Sequence, residues 1–131
     1  AMLRGLRTLP TRMSRHGASG LQVASWLRDQ PEVVDVLHPG LPGAPGYDIW
    51  ARDYTGACGL FGLVLAPASE QAGNAFLDAL ELFGLGFSWG GFESLALAAP
   101  TNPKTSWITG HSLISAALDG MCLRVADRLC A

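Results

Sequence analysis

The sequence predicts an α+β fold, a small mostly antiparallel sheet with helices packed on one face. Three observations lead there. Hydrophobic periodicity runs along the chain in the order helix, strand, strand, helix, strand, strand, helix. The connections between these segments are too short for a series of parallel crossovers. Residues 58–65, Cys-Gly-Leu-Phe-Gly-Leu-Val-Leu, form a nearly unbroken apolar run of strand length, as a strand buried on both faces requires.

The elements follow in order. Leu6, Leu9, Met13, Gly17, Gly20, Ala24 and Leu27 recur at steps of three and four and give residues 3–29 one apolar helical face. Pro10 removes a backbone donor near its start and is expected to bend or break it, and Gly17 and Gly20 are expected to weaken its middle. After Pro31, the β-branched run Val33-Val34-Asp35-Val36-Leu37 reads as a strand ending at His38-Pro39. Residues 40–46, rich in glycine and proline, form a rigid irregular loop, and residues 47–53 are expected to make a single helical turn.

Ser69 can cap a second amphipathic helix, with Ala72, Phe76, Leu80 and Phe83 on its apolar face and Gly84 as the left-handed residue that stops it. Residues 85–89 and 93–98 then read as neighbouring strands, residues 101–109 as loop, and the segment from Leu113 as a short strand followed by a helix.

With 131 residues the chain suits one ordinary domain. Its formal net charge of -2 offers no basic footprint for a phosphate-rich partner, which argues against nucleic acid. Only 15% of residues are charged, where about 25% is usual. So few charges dress a free surface poorly, and the composition implies that another domain or subunit covers part of it. Five arginines and no acid among the first 28 residues superficially resemble a transit peptide, but the helical periodicity runs straight on into the domain. Cys58, Cys122 and Cys130 form neither close pairs nor a zinc-ligand pattern, which fits a reducing cytoplasm. The longest uncharged stretches are too short, and too interrupted by glycine and proline, for a membrane span.

Chemistry concentrates at Phe87-Ser88-Trp89-Gly90-Gly91-Phe92-Glu93-Ser94-Leu95. A hydroxyl and an indole beside two glycines allow close approach to the backbone, so Ser88 and Trp89 can face a ligand. A tight turn around a buried tryptophan fits the same residues. His16, His38 and His111 have no evident nucleophile beside them and read as structural or solvated, no glycine-rich phosphate cradle precedes a helix, and Lys104, the only lysine, lies in loop-like sequence.

Five motifs in order, Met2-Leu3-Arg4-Gly5-Leu6-Arg7-Thr8-Leu9, Val36-Leu37-His38-Pro39, Trp50-Ala51-Arg52-Asp53-Tyr54-Thr55-Gly56, Gly59-Leu60-Phe61 and Ser88-Trp89-Gly90-Gly91-Phe92-Glu93-Ser94-Leu95, resemble bacterial cystathionine β-lyases of the Cys/Met-metabolism pyridoxal-phosphate enzymes from residue 1 to about residue 99. The resemblance implies the C-terminal domain of a fold-type-I enzyme: residues 1–30 a long helix leading from a cofactor domain, and residues 31–131 the α+β domain, with a divergent tail over 100–131. It implies β-elimination of cystathionine to homocysteine, pyruvate and ammonia, with Ser88 holding the substrate carboxylate and Trp89 walling the pocket. Homo-oligomer formation or association with the cofactor domain goes with it, and the alternative is a non-catalytic interaction module derived from the family.

The family's Schiff-base lysine, pyridine-binding aspartate, stacking tyrosine and phosphate-binding residues belong to sequence upstream of residue 1, so this chain by itself is expected neither to bind pyridoxal 5'-phosphate covalently nor to turn over. Where the family carries Leu-Ile-Arg, with the arginine gripping the substrate carboxylate, this chain has Leu113-Ile114-Ser115. A charge-assisted contact of that kind contributes about 1.5–3 kcal/mol, so its loss implies about ten- to a hundredfold weaker capture.

Overall fold

A computed structural model describes residues 2–66, 70–86, 88, 91, 93–99 and 112–117. Its first element, α1 (Met2–Arg28), is a single helix with Pro10 inside it, where a bend or break was expected. The turn before the proline is supported from outside the backbone ladder: Thr8 Oγ1 donates to the carbonyls of Arg4 and Gly5 at 3.3 and 3.2 Å, and Arg12 Nη2 donates to the Gly5 carbonyl at 3.0 Å.

Strand β1 (Val33–Leu37) falls where the β-branched run predicts it. The loop that follows is part of the core, because Leu41 is fully buried within it. Gly43 and Gly46 adopt left-handed backbone at φ 84° and 80°, conformations that explain the glycines there. From α1, Arg28 Nη1 reaches across to the Pro42 carbonyl at 3.1 Å. Gly46 opens α2 (Tyr47–Asp53), seven residues long and about two turns where one was expected, and none of its residues is buried.

Strand β2 (Leu60–Leu65) occupies the apolar run, with Phe61, Leu63 and Val64 all buried. Adjacent buried residues Leu63 and Val64 point to opposite faces, so the strand is covered on both sides at this point, as its composition predicts.

The helix α3 (Glu70–Asp78) departs from expectation in length and phase. It stops six residues before Gly84, and among its described side chains Gly73 and Leu77 are buried while Phe76 is exposed. Leu80 and Phe83 do pack against the core, but from the segment beyond the helix. Gly84 opens β3 (Gly84–Leu85), a strand of only two residues where five were expected. The expected Ser69 cap and Ala72 packing lie outside the described residues.

Strands β4 (Leu95–Ala99) and β5 (Ser112–Ala117) complete a five-stranded sheet in the order β1-β2-β5-β4-β3. All pairings are antiparallel except β3 with β4, which is parallel with Gly84 opposite Leu95 and Leu85 opposite Ala96. The expected strand neighbours therefore do meet, but joined by a crossover and not a hairpin. The short strand expected after Leu113 lies at the centre of the sheet, and the helix expected beyond it lies outside the described residues.

One sheet face carries the core. Val36 pairs with Leu63, and Phe61 shares a register row with Ala116 and Ala96. On this face Val36, Phe61, Leu63 and Ala96 form a single cluster with Val23 and Ala24 of α1 and Leu77 of α3. Both helices thus lie on one face, α1 over β1 and β2, α3 over β4 and β5.

The seat of α1 is unusually close. A Cβ built on Gly17 would lie 2.6 Å from the Ala57 carbonyl oxygen, and one on Gly20 would lie 3.0 Å from the Cys58 oxygen and the Gly59 Cα. The backbone entering β2 rests directly on these two glycines. The glycines that weaken the helix in isolation are what allow this contact.

Candidate functional site

The conspicuous sequence 87–95 falls in the connection between two parallel strands. Its ends are pinned by the ladder: the Gly84 amide donates to the Ser94 carbonyl at 2.9 Å, and the Gly86 amide to the Ala96 carbonyl at 3.4 Å. Gly86 lies against the Leu95 side chain, and a Cβ on Gly91 would meet the Glu93 carboxylate at 2.9 Å. Within this connection Ser88 is exposed, so its hydroxyl is open to a ligand. Trp89 lies outside the described residues.

Position 115 is one strand further in. It pairs with Gly62 of β2 on one side and Leu97 of β4 on the other. This register row alternates with the rows of Phe61, Ala116 and Ala96 that carry the core. The site elements singled out in the sequence thus belong to the β3-β4-β5 half of the sheet, Ser88 at its edge and position 115 at its centre.

Titratable groups elsewhere are engaged structurally. His38 is fully buried, its Nδ1 accepts the Gly40 amide at 3.0 Å, and its Nε2 lies 3.3 Å from the Cys58 carbonyl. Both contacts are satisfied by the neutral ring with its proton on Nε2. The ring ties the loop after β1 to the backbone entering β2, a role that His-Pro-Gly in the sequence marks only as a turn. His16 is buried in α1. On the surface, Arg52 and Asp53 form two parallel contacts of 2.7 and 2.8 Å. That pairing lowers the Asp53 pKa and raises that of Arg52.

Among the described residues, no three histidine, cysteine or acidic side chains converge as metal ligands, and no helix is long and apolar enough to cross a membrane. Imine formation with an aldehyde cofactor needs a lysine held in place, and no described residue is a lysine. The described residues therefore do not fit pyridoxal phosphate as its covalent site. What they offer is an exposed hydroxyl on a constrained connection beside a sheet, an arrangement that can line a pocket.

The family model for Cys/Met metabolism PLP-dependent enzymes matches residues 1–126. Over 97 residues the chain is 50% identical to cystathionine beta-lyase MetC of Escherichia coli, covering 72% of this chain and 24% of that protein. Cystathionine beta-lyase of Salmonella typhimurium is 48% identical over 96 residues, again 72% of this chain and 24% of the relative. The chain therefore spans about a quarter of the length of these curated relatives. Among solved structures, cystathionine gamma synthase from Xanthomonas oryzae pv. oryzae, in complex with aminoacrylate and cysteine, superposes with a TM-score of 0.77 at 31% identity, over 89% of this chain and 32% of that one. The family so matched is pyridoxal-phosphate dependent. By its sequence over nearly its whole length, and by its fold, this chain belongs to the Cys/Met metabolism PLP-dependent enzyme family.

Proposed function

We propose that this chain supplies the C-terminal domain of a cystathionine β-lyase, in which residues 31–131 form one wall of the substrate pocket and residues 1–30 connect to the cofactor-bearing part. The observation that carries the reading is the 50% identity over 97 residues to a cystathionine β-lyase, a stretch long enough to take in Ser88 and Trp89. The complete enzyme acts in the cytoplasm as a homo-oligomer on cystathionine, releasing homocysteine, pyruvate and ammonia. Ser88 holds the substrate carboxylate and Trp89 bounds the pocket. The chain alone is inactive, because Lys104 is its only lysine and is not part of the motifs shared with the family.

Position 115 supports a weakened grip on substrate. It lies in a register row other than that of the core cluster. A graft tests the proposal: residues 1–99 replace the matching segment of the E. coli β-lyase. The chimera should release pyruvate from cystathionine, and its Ser88→Ala variant should lose about ten- to a hundredfold in kcat/KM. The 131-residue chain mixed with pyridoxal phosphate and cystathionine should give neither a borohydride-reducible imine nor pyruvate. A folded, cofactor-loaded chimera without β-lyase activity would refute the assignment.

A further inference from the structure

The chain leaves β3 for the connection that carries Ser88 by way of two glycines on one face. Gly84 and Gly86 are two residues apart along the ladder, so both lack a side chain on the same side of it. That space is filled from β4. A Cβ built on Gly84 would lie 3.4 Å from Leu95 Cδ2, and one on Gly86 would lie 3.3 Å from the same carbon and 3.5 Å from Cδ1. The isobutyl group of Leu95 thus lies across both glycines, in a slot that exists because neither has a Cβ.

This packing strengthens an anchor that the short ladder makes weakly. The Gly84 amide reaches the Ser94 carbonyl at 2.9 Å, but the Gly86 amide is 3.4 Å from the Ala96 carbonyl, long for a bond between backbone groups. The departing end of the connection is therefore held by the Leu95 side chain as much as by the backbone. Leu95 also fixes the returning end, since it opens β4 and is paired on its other side with Ala117 of β5. Ser88 stands two residues beyond Gly86, within about 7 Å of it by chain length alone. Ala117 and position 115 are two apart on β5, so the Leu95 pair and the position-115 pair belong to one face of the sheet.

We propose that Leu95 is a positioning residue for substrate capture: by packing on Gly84 and Gly86 it sets where the connection departs relative to where it returns, and so where the Ser88 hydroxyl stands. The inference rests on the lyase reading for the role of Ser88, whereas the anchoring of Gly86 by Leu95 stands on the geometry alone. Leu95 acts through Ser88 and not on the substrate. Its loss is therefore felt in catalysis only while residue 88 has a hydroxyl to place.

A double-mutant cycle tests it in the chimera of residues 1–99 with the E. coli β-lyase, loaded with pyridoxal phosphate. Leu95→Ala should lower kcat/KM for cystathionine about tenfold, chiefly by raising KM. In the Ser88→Ala background the same change should cost less than about twofold. Leu95→Met, which refills the slot, should come within about threefold of the parent. Gly86→Ala, which displaces the isobutyl group from the other side, should repeat the Leu95→Ala pattern and carries the test should Leu95→Ala not fold by circular dichroism. In the 131-residue chain, ¹⁵N relaxation should show the order parameter of the Gly86 amide falling from about 0.85 to below about 0.6 in Leu95→Ala, with the Leu63 amide still rigid. Equal losses with and without the Ser88 hydroxyl would overturn the proposal, as would a Leu95→Ala chimera as active as its parent or a Gly86 amide that stays rigid. A chimera without lyase activity in any form would refute the lyase reading and the role in capture with it, while the relaxation measurement decides separately whether Leu95 anchors the connection.

Discussion

Gly17→Ala should destabilise this protein although alanine is the better helix former. In a helix interior the exchange gains about 0.8–1 kcal/mol from propensity. At Gly17 the added methyl would sit 2.6 Å from the Ala57 oxygen and 3.4 Å from its carbonyl carbon, both backbone atoms. Relief requires α1 or the chain entering β2 to move by about half an ångström or more, and overpacking of this kind costs about 1–3 kcal/mol. Because the obstacle is backbone, the upper part of that range applies, for a net loss of about 1–2 kcal/mol. Gly5 supplies the control, since nothing lies within 4 Å of its added methyl. Gly5→Ala should gain up to about 1 kcal/mol, less if the helix end frays. Urea unfolding should move the two midpoints in opposite directions at unchanged m-value. Gly17→Ala at least as stable as the parent would refute the close approach of α1 to residues 57–59.

Three further outcomes follow from individual side chains. Ser19 is buried, and its hydroxyl has no hydrogen-bond partner among the described residues; Ser19→Ala should be neutral or stabilising by up to about 1 kcal/mol, and a loss above that in urea unfolding would mean that the hydroxyl has a partner. Replacing His38 with phenylalanine strands the Gly40 amide and the Cys58 carbonyl, so stability should fall by about 2–4 kcal/mol and the Gly40 amide should lose protection from hydrogen exchange. Asp53, whose pKa is lowered by Arg52, should titrate below an ordinary aspartate by NMR, and Arg52→Gln should raise it. The small stabilisation from the pair is therefore present above the ordinary aspartate range and lost as pH falls through the lowered value.

Local pattern was enough wherever one segment decides its own structure. Val33–Leu37 is a strand because three valines and a leucine sit between Pro31 and Pro39, and β2 is covered on both faces at Leu63 and Val64, in a run with no polar residue. Where the deciding atoms belong to another segment, the pattern misleads. Gly17 and Gly20 look like defects until the backbone of residues 57–59 is laid across them. In α3, periodicity fits Phe76 as well as Leu77, and the packing against β4 and β5 selects Leu77. At the candidate site, glycine-rich surroundings single out Ser88, whereas the strand orientation that frames it depends on pairing between β3 and β4 and is not readable from the local sequence.

That orientation changes what the connection can do. A hairpin would fold residues 86–94 back in the plane of the sheet and hold Ser88 in a two-stranded turn. Parallel pairing requires the chain to leave the ladder after Leu85 and return to the same end for Leu95, so the connection must depart from the sheet. Because β3 is only two residues long, the return is short, and nine residues suffice. Ser88 therefore lies on a crossover whose two ends are anchored by the ladder. Position 115, paired through Leu97 to the strand that receives this crossover, belongs to the same framework. Residues 112–117 complete the sheet because a central strand needs its backbone pairing in both directions more than it needs any one side chain. The pairing of position 115 and the placement of Ser88 are in this way linked: β4, which receives the connection carrying Ser88, is held in the sheet by its ladder to β5.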